Sequence, residues 1–164
     1  MNTMSEVIKR MIQHFGDDVR RINHALKVFG LAKCIGESER LEEVKQQILE
    51  AAAVLHDIGI KESEIKYQSS AGKYQEIEGP PIAEKILGEL GYEKEFVDRV
   101  CFLVGNHHTY GNIDGTDFQI LVEADFLVNI FEDGMDGKQK ATIKDKYFKT
   151  RTGTMILDSM FSEE

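Results

Sequence analysis

The sequence predicts an all-α fold, one globular helical domain of seven to nine helices. Three observations carry this. Apolar residues recur at three- and four-residue spacing along most of the 164 residues. No stretch alternates apolar and polar residues as a half-buried strand does. Glycines fall where the periodic stretches stop, and only 2 prolines interrupt the whole chain.

Val7, Ile8, Met11, Ile12 and Phe15 give Met4 to Phe15 one apolar face, and Gly16 ends this first helix. Asp17-Asp18 read as the acidic, capped start of a second helix reaching about Ile35. Its expected face is Val19, Ile22, Leu26 and Phe29, with His24 off the centre of it. Gly36-Glu37-Ser38 read as a loop. A third helix is expected from about Glu39 to Asp57, with Leu41, Val44, Ile48, Leu49, Ala52 and Leu55 inward. It grows more apolar towards its end, which is the run Ala51 to Leu55 followed by His56-Asp57.

Gly59 to Glu78 shows the weakest periodicity. Lys61 to Ile65 suits one turn of helix, and Gln68 to Gly72 reads as a loop. Pro80-Pro81 are expected to open the next helix, with Gly91 closing it. Glu93 to His107 follows, with Phe96, Val97, Val100, Leu103 and Val104 apolar. Gly111 to Gly115 is a loop, Asp117 to Phe131 a strongly apolar helix, and Lys138 to Phe161 one or two more polar helices. No linker or repeat divides the chain. One domain is expected over 1–164, with a motif-bearing region at 17–131 and a helical extension at 135–164.

Composition narrows the function classes. A net charge of −9 argues against a protein that coats nucleic acid, which needs a basic stripe. It also means that an anionic substrate must be drawn in by a local cation. The most apolar stretch, Phe118 to Phe131, is broken by Glu123, Asp125 and Asn129 and is too short and too charged to span a bilayer. The N-terminus shows no apolar leader, and Cys34 and Cys101 read as buried free thiols without CxxC spacing. A cytoplasmic protein with no membrane partner is the expectation.

The chemistry gathers around His56-Asp57. A histidine and a carboxylate at the end of a buried run need a partner, because buried charge is costly unless paired or metal-bound. Neighbours on a helix point about 100° apart, so both reach one ion only at a helix end. Gly59 supplies that end, and the partial negative charge of a helix C-terminus favours a cation. Asp125 lies within Ile120 to Val128 and needs a partner if it faces inward, while Glu123 points elsewhere on the same helix. His107-His108 close a helix as adjacent imidazoles. His24 alone is a weak signal, and His14 reads as solvated. Mixed imidazole and carboxylate donors suit Fe, Mn, Co, Ni or Zn better than Ca or Mg.

The order His24, His56-Asp57, Asp125 resembles the HD superfamily of metal-dependent phosphohydrolases. The quoted contexts are Arg-Ile-Asn-His (21–24), Leu-His-Asp-Ile-Gly (55–59), Gly-Asn-His-His-Thr (105–109) and Val-Glu-Ala-Asp-Phe-Leu (122–127). The resemblance spans residues 17 to 131. It implies an HD-domain-like all-α fold in which His24, His56, Asp57 and Asp125 hold one divalent metal. Two positions depart from the family pattern. Dinuclear members often carry a further His four residues before a glycine matching Gly79; Gln75 stands there, with Glu76 and Glu78 nearby, which argues against a second ion. Some members have Lys directly after His-Asp-Ile-Gly, whereas here Ile60 intervenes before Lys61.

The implied reaction is hydrolysis of a phosphomonoester or phosphoanhydride, with a nucleotide suggested by the resemblance alone. Asp57 or Asp125 would orient or deprotonate the attacking water, and His107 or His108 would stabilise charge on the phosphoryl oxygens. Lys61, Lys73, Gln75, Glu78 and His108 are the expected substrate contacts. Lys61 also joins the candidate catalytic set, and Lys66 and Arg20 are further cations in sequence reach. The alternative from another class is a regulatory domain of the same fold that binds a nucleotide or metal with little or no turnover. A homodimer is compatible with the sequence, which names no interface for it.

Overall fold

A computed structural model describes residues 3–162. Among the described residues the chain forms nine α-helices and one 3-10 turn, with no strand. The centre of the molecule is α3 (Glu43–Leu55), whose residues from Ile48 to Leu55 are all buried. Its neighbours are α2 (Val19–Ser38), α6 (Lys94–Val104), α7 (Thr116–Glu132) and α1 (Met4–Phe15). Packing on several sides explains why the second half of α3 and most of α7 lack a polar face: a helical stretch hydrophobic all round is an interior one.

Helix α1 matches its expected bounds, placing Val7, Met11 and Phe15 in the core, and Gly16 ends it at φ +63°, the left-handed region glycine tolerates. Asp18 caps α2 by accepting from the Arg21 amide. The buried face of α2 differs from the expected one. Ile22, His24, Ala25, Val28, Ala32 and Ile35 are buried, whereas Val19 is 60% exposed. Ala25 and Ala32 are small enough to let neighbouring helices approach, and that turns His24 into the interior. Gly36 is not a helix stop either. A Cβ there would lie 2.2 Å from Gln46 Oε1 and 3.0 Å from Leu49, so the glycine is where α3 crosses closely. The turn comes later, with Arg40 at φ +59°.

The stretch of weak periodicity contains two helices, α4 (Ile60–Tyr67) and α5 (Gly72–Glu89). Ser63 and Ile60 anchor α4 in the interior. Helix α5 runs straight through Pro80-Pro81 rather than starting there. The prolines leave the carbonyls of Glu76 and Ile77 without their helical donors. Ile77 is exposed and Glu76 half-buried, so water can satisfy them. Two glycines set the spacing here. A Cβ on Gly59 would sit 2.5 Å from the Gly79 amide nitrogen, and one on Gly79 would sit 2.7 Å from Val104. The turn after α3, the middle of α5 and the end of α6 therefore meet at van der Waals distance.

After α6 come a turn, the 3-10 segment Tyr110–Asn112, and α7. The polar C-terminal stretch forms two helices, α8 (Gly137–Tyr147) and α9 (Arg151–Met160), which contribute Ile143 and Leu157 to the core, with Phe148 added from the link between them. A capping box of Asp136 and Gln139 starts α8. Glu123 anchors the start of α9. It is 0% exposed and accepts from the amides of Lys149 and Thr150, the Thr150 hydroxyl and the Gln119 amide. Both cysteines are free thiols, but Cys34 is exposed and only Cys101 is half-buried. Position 34 falls on the exposed side of α2. No described helix is long and apolar enough to cross a membrane.

Candidate metal centre

Three helices converge on one polar cluster inside this apolar frame. His24 comes from the middle of α2, Asp125 from the middle of α7, and His56-Asp57 from the turn that ends α3. His56 is 0% exposed, and His24 and Asp125 are buried. His24 Nε2 lies 3.1 Å from His56 Nε2, 3.1 Å from Asp125 Oδ1 and 3.3 Å from Asp57 Oδ2. His56 Nε2 lies 3.4 Å from each of the same two carboxylate oxygens. These are the separations shown by donors that share one centre at about 2.0–2.2 Å.

The second nitrogen of each ring fixes which way the first one faces. His56 Nδ1 is 2.7 Å from the Ala53 carbonyl, which can only accept, so Nδ1 carries the proton and Nε2 presents its lone pair. His24 Nδ1 is 3.1 Å from Glu132 Oε2, with the same consequence. Two lone pairs facing each other at 3.1 Å repel unless a positive charge, a proton or a metal ion, lies between them. The electrostatics agree. Burial opposes ionisation of Asp57, but the positive charge of His56 and the nearby His107 imidazole outweigh it and hold the carboxyl well below its usual range. Asp125 is lowered against the same burial cost by His56 and His24. Burial likewise opposes protonation of His24 and His56, yet the hydrogen bond of Asp125 at His24, and the charges of Asp57 and Asp125 at His56, raise both. A buried site that favours positive charge at its centre fits a divalent transition metal: His24, His56 and Asp57 offer atoms within 4.8 Å of one another, and Asp125 Oδ1 lies 3.1 and 3.4 Å from the two rings' Nε2 atoms.

The chain also matches the family model for the HD domain over residues 21–146. It belongs to the HD domain family. Membership puts it in a superfamily of metal-dependent hydrolases whose domains bind divalent metals. No curated protein matched the chain. A similar solved structure is the crystal structure of a predicted HD superfamily hydrolase from an uncultured Thermotogales bacterium. It is 23% identical, with a TM-score of 0.68 over 94% of this chain and 83% of that one, and it supports the fold.

This HD domain holds a second donor group beside the first. Asp57, His107 and His108 offer ligand atoms that all lie within 4.8 Å of one another. His107 is 1% exposed, and its Nδ1 meets the Val104 carbonyl at 2.8 Å. Its Nε2 is buried without a hydrogen bond and faces Asp57 Oδ1 at 3.3 Å, acceptor to acceptor. Asp57 therefore turns one oxygen to each group. Burial, aided by the neighbouring His107, pushes His108 down to about 4, so it is neutral at pH 7.

The other expected site residues fall at varying distances from this centre. Gln75 is buried and its Oε1 is 3.3 Å from His108 Nε2, so it borders the second group directly. Glu78 accepts from Lys66 and from the Tyr67 hydroxyl, each at 3.0 Å, and Glu76 accepts from Thr109. Neither carboxylate belongs to a donor group. Lys73 is exposed with its ammonium 4.8 Å over the Tyr74 ring. Lys61 donates to the His14 carbonyl at 3.2 Å, on the α1 side. His14 is half-buried rather than solvated. Asn129 and Glu132 escaped the sequence reading: Asn129 donates to Asp125 Oδ1 at 3.1 Å, and Glu132 holds His24. The signal was their spacing, since positions 125, 129 and 132 share one helix face.

Proposed function

We propose that this HD domain is a metal-dependent phosphohydrolase acting on a phosphomonoester or phosphoanhydride, with nucleotides the first class to test. The observation that carries this is the convergence of His24 Nε2, His56 Nε2, Asp57 Oδ2 and Asp125 Oδ1, with each ring's Nδ1 engaged elsewhere so that Nε2 is the atom turned to the centre. When bound, the ion supplies Lewis acidity towards a phosphoryl oxygen and a water.

The chain's own groups do the rest. Asp57 and Asp125 stay ionised well into acid, so both serve as carboxylates at neutral pH. Asp57 Oδ1 points away from His24 and towards His107, where it can orient a water or take its proton. His108 offers one N–H and one lone pair without charge, and Gln75 holds its orientation. His107 and His108 thus flank the place a phosphoryl group would occupy. Lys73 and Arg20, both exposed, are cations free of ion pairs among the described residues and suited to draw in the substrate. A second reading, two ions per chain, is favoured by the orphaned His107 Nε2 and the divided orientation of Asp57.

Elemental analysis of purified protein, with a screen of nucleotides and sugar phosphates in Mn, Co or Ni, tests both. One metal equivalent with hydrolysis is expected, and two equivalents lost together in Asp57→Ala would favour the two-ion reading. No metal and no hydrolysis would overturn the proposal. Nucleotide binding without product would replace it with a regulatory role.

A further inference from the structure

His24 differs from the other two buried histidines in how it is held. His56 and His107 each donate to a carbonyl three residues back, at the end of a helix, where main-chain carbonyls are free. His24 sits in the interior of the 20-residue α2, where the carbonyls are taken up by the helix itself. Its Nδ1 therefore needs a side chain as partner. Glu132 is that partner, from α7, and its carboxylate is mostly buried, with 18% of the side chain exposed.

We propose that Glu132 is the positioning residue of this metal centre, acting through His24. The inference rests on the metal-centre reading above. The carboxylate fixes the proton on Nδ1, aims Nε2 at the shared centre, and raises the basicity of the ring by placing negative charge behind it. Helix α7 then serves the site three times from one face. Asp125 contributes a ligand atom, Asn129 steadies that carboxylate, and Glu132 steadies the ligand from α2. Lys27 lies 3.4 Å from the other oxygen of Glu132, but its side chain is 57% exposed. Solvent screens that charge, so Lys27 leaves the effect on His24 in place.

The test is a metal dissociation constant, measured for Co by competition with a chelating dye, on metal-free full-length protein and its variants. Glu132→Ala is expected to weaken binding about 10- to 100-fold and to alter the visible Co absorption, while the metal-free protein melts near the wild-type temperature. Glu132→Gln keeps an acceptor for Nδ1 but no charge, so a smaller loss is expected with the absorption shape retained. It also carries the test if the alanine variant folds poorly. Lys27→Met is expected to stay within about twofold of wild type. Wild-type affinity in both Glu132 variants would overturn the positioning role and leave the metal centre standing. A loss in Lys27→Met as large as in Glu132→Ala would also overturn it, since the effect would then follow the surface ion pair. A wild-type protein that binds no Co would overturn the metal centre and this role together.

Discussion

His56 and Asp57 are adjacent in sequence yet face one point, because the helix ends beneath them and the second residue swings out of helical register. His56→Ala and Asp57→Ala should each abolish metal binding, read by elemental analysis, while circular dichroism still reports a helical protein. Glu123 is the opposite case, a buried carboxylate serving structure alone. Its oxygens satisfy three donors at the start of α9 and the Gln119 side chain of its own helix, and a Cβ on Gly153 would come within 1.9 Å of it. Glu123→Ala strands those donors and should cost about 3 kcal/mol in urea unfolding. Asp125 and Glu123 are two residues apart with different fates, since a helix turns them about 200° from each other.

At the scale of elements, the site depends on how closely α3, α5 and α6 approach. Gly59→Ala places a methyl group 2.5 Å from the Gly79 amide. It should destabilise by about 1–3 kcal/mol and weaken metal binding, because the strained turn carries Asp57. Chemical labelling reads the helix faces directly. Cys34 is exposed on α2 and should react rapidly with iodoacetamide. Burial, with Glu84 and Asp98 nearby, pushes the Cys101 thiol up to about 11. The thiolate is the nucleophile, so Cys101 should label slowly at pH 8 and faster only as pH nears that value, followed by mass spectrometry of the two peptides.

For the whole molecule, metal binding should be part of stability. An ion that binds the folded chain and not the unfolded one contributes about 2.7 kcal/mol at a hundredfold excess over its dissociation constant. For a chain of this size that is roughly 5–10 °C in melting temperature. EDTA should lower the melting point by this amount, and His56→Ala should melt at the same temperature with and without EDTA. Equal sensitivity of wild type and variant to EDTA would contradict the assignment.

The amino-acid sequence by itself determined the helical class and most helix boundaries, and its resemblance to the HD superfamily named His24, His56, Asp57 and Asp125 as candidate donors. Apolar spacing and helix ends are local properties, and His56, Asp57 and Asp125 stood out as polar groups in or beside apolar runs, whereas His24 alone was a weak signal. Only the tertiary structure decided that α2 turns His24 inward, that α5 continues through Pro80-Pro81, and that α9 is pinned by Glu123. Each depends on a neighbour distant in sequence: α3 against Gly36, α6 against Gly79, and Thr150 beside Glu123. The same holds for Glu132. Its spacing puts it on the helix face of Asp125 and Asn129, but nothing in the sequence ties that face to His24, and its role exists because α7 lies beside α2 with His24 between them.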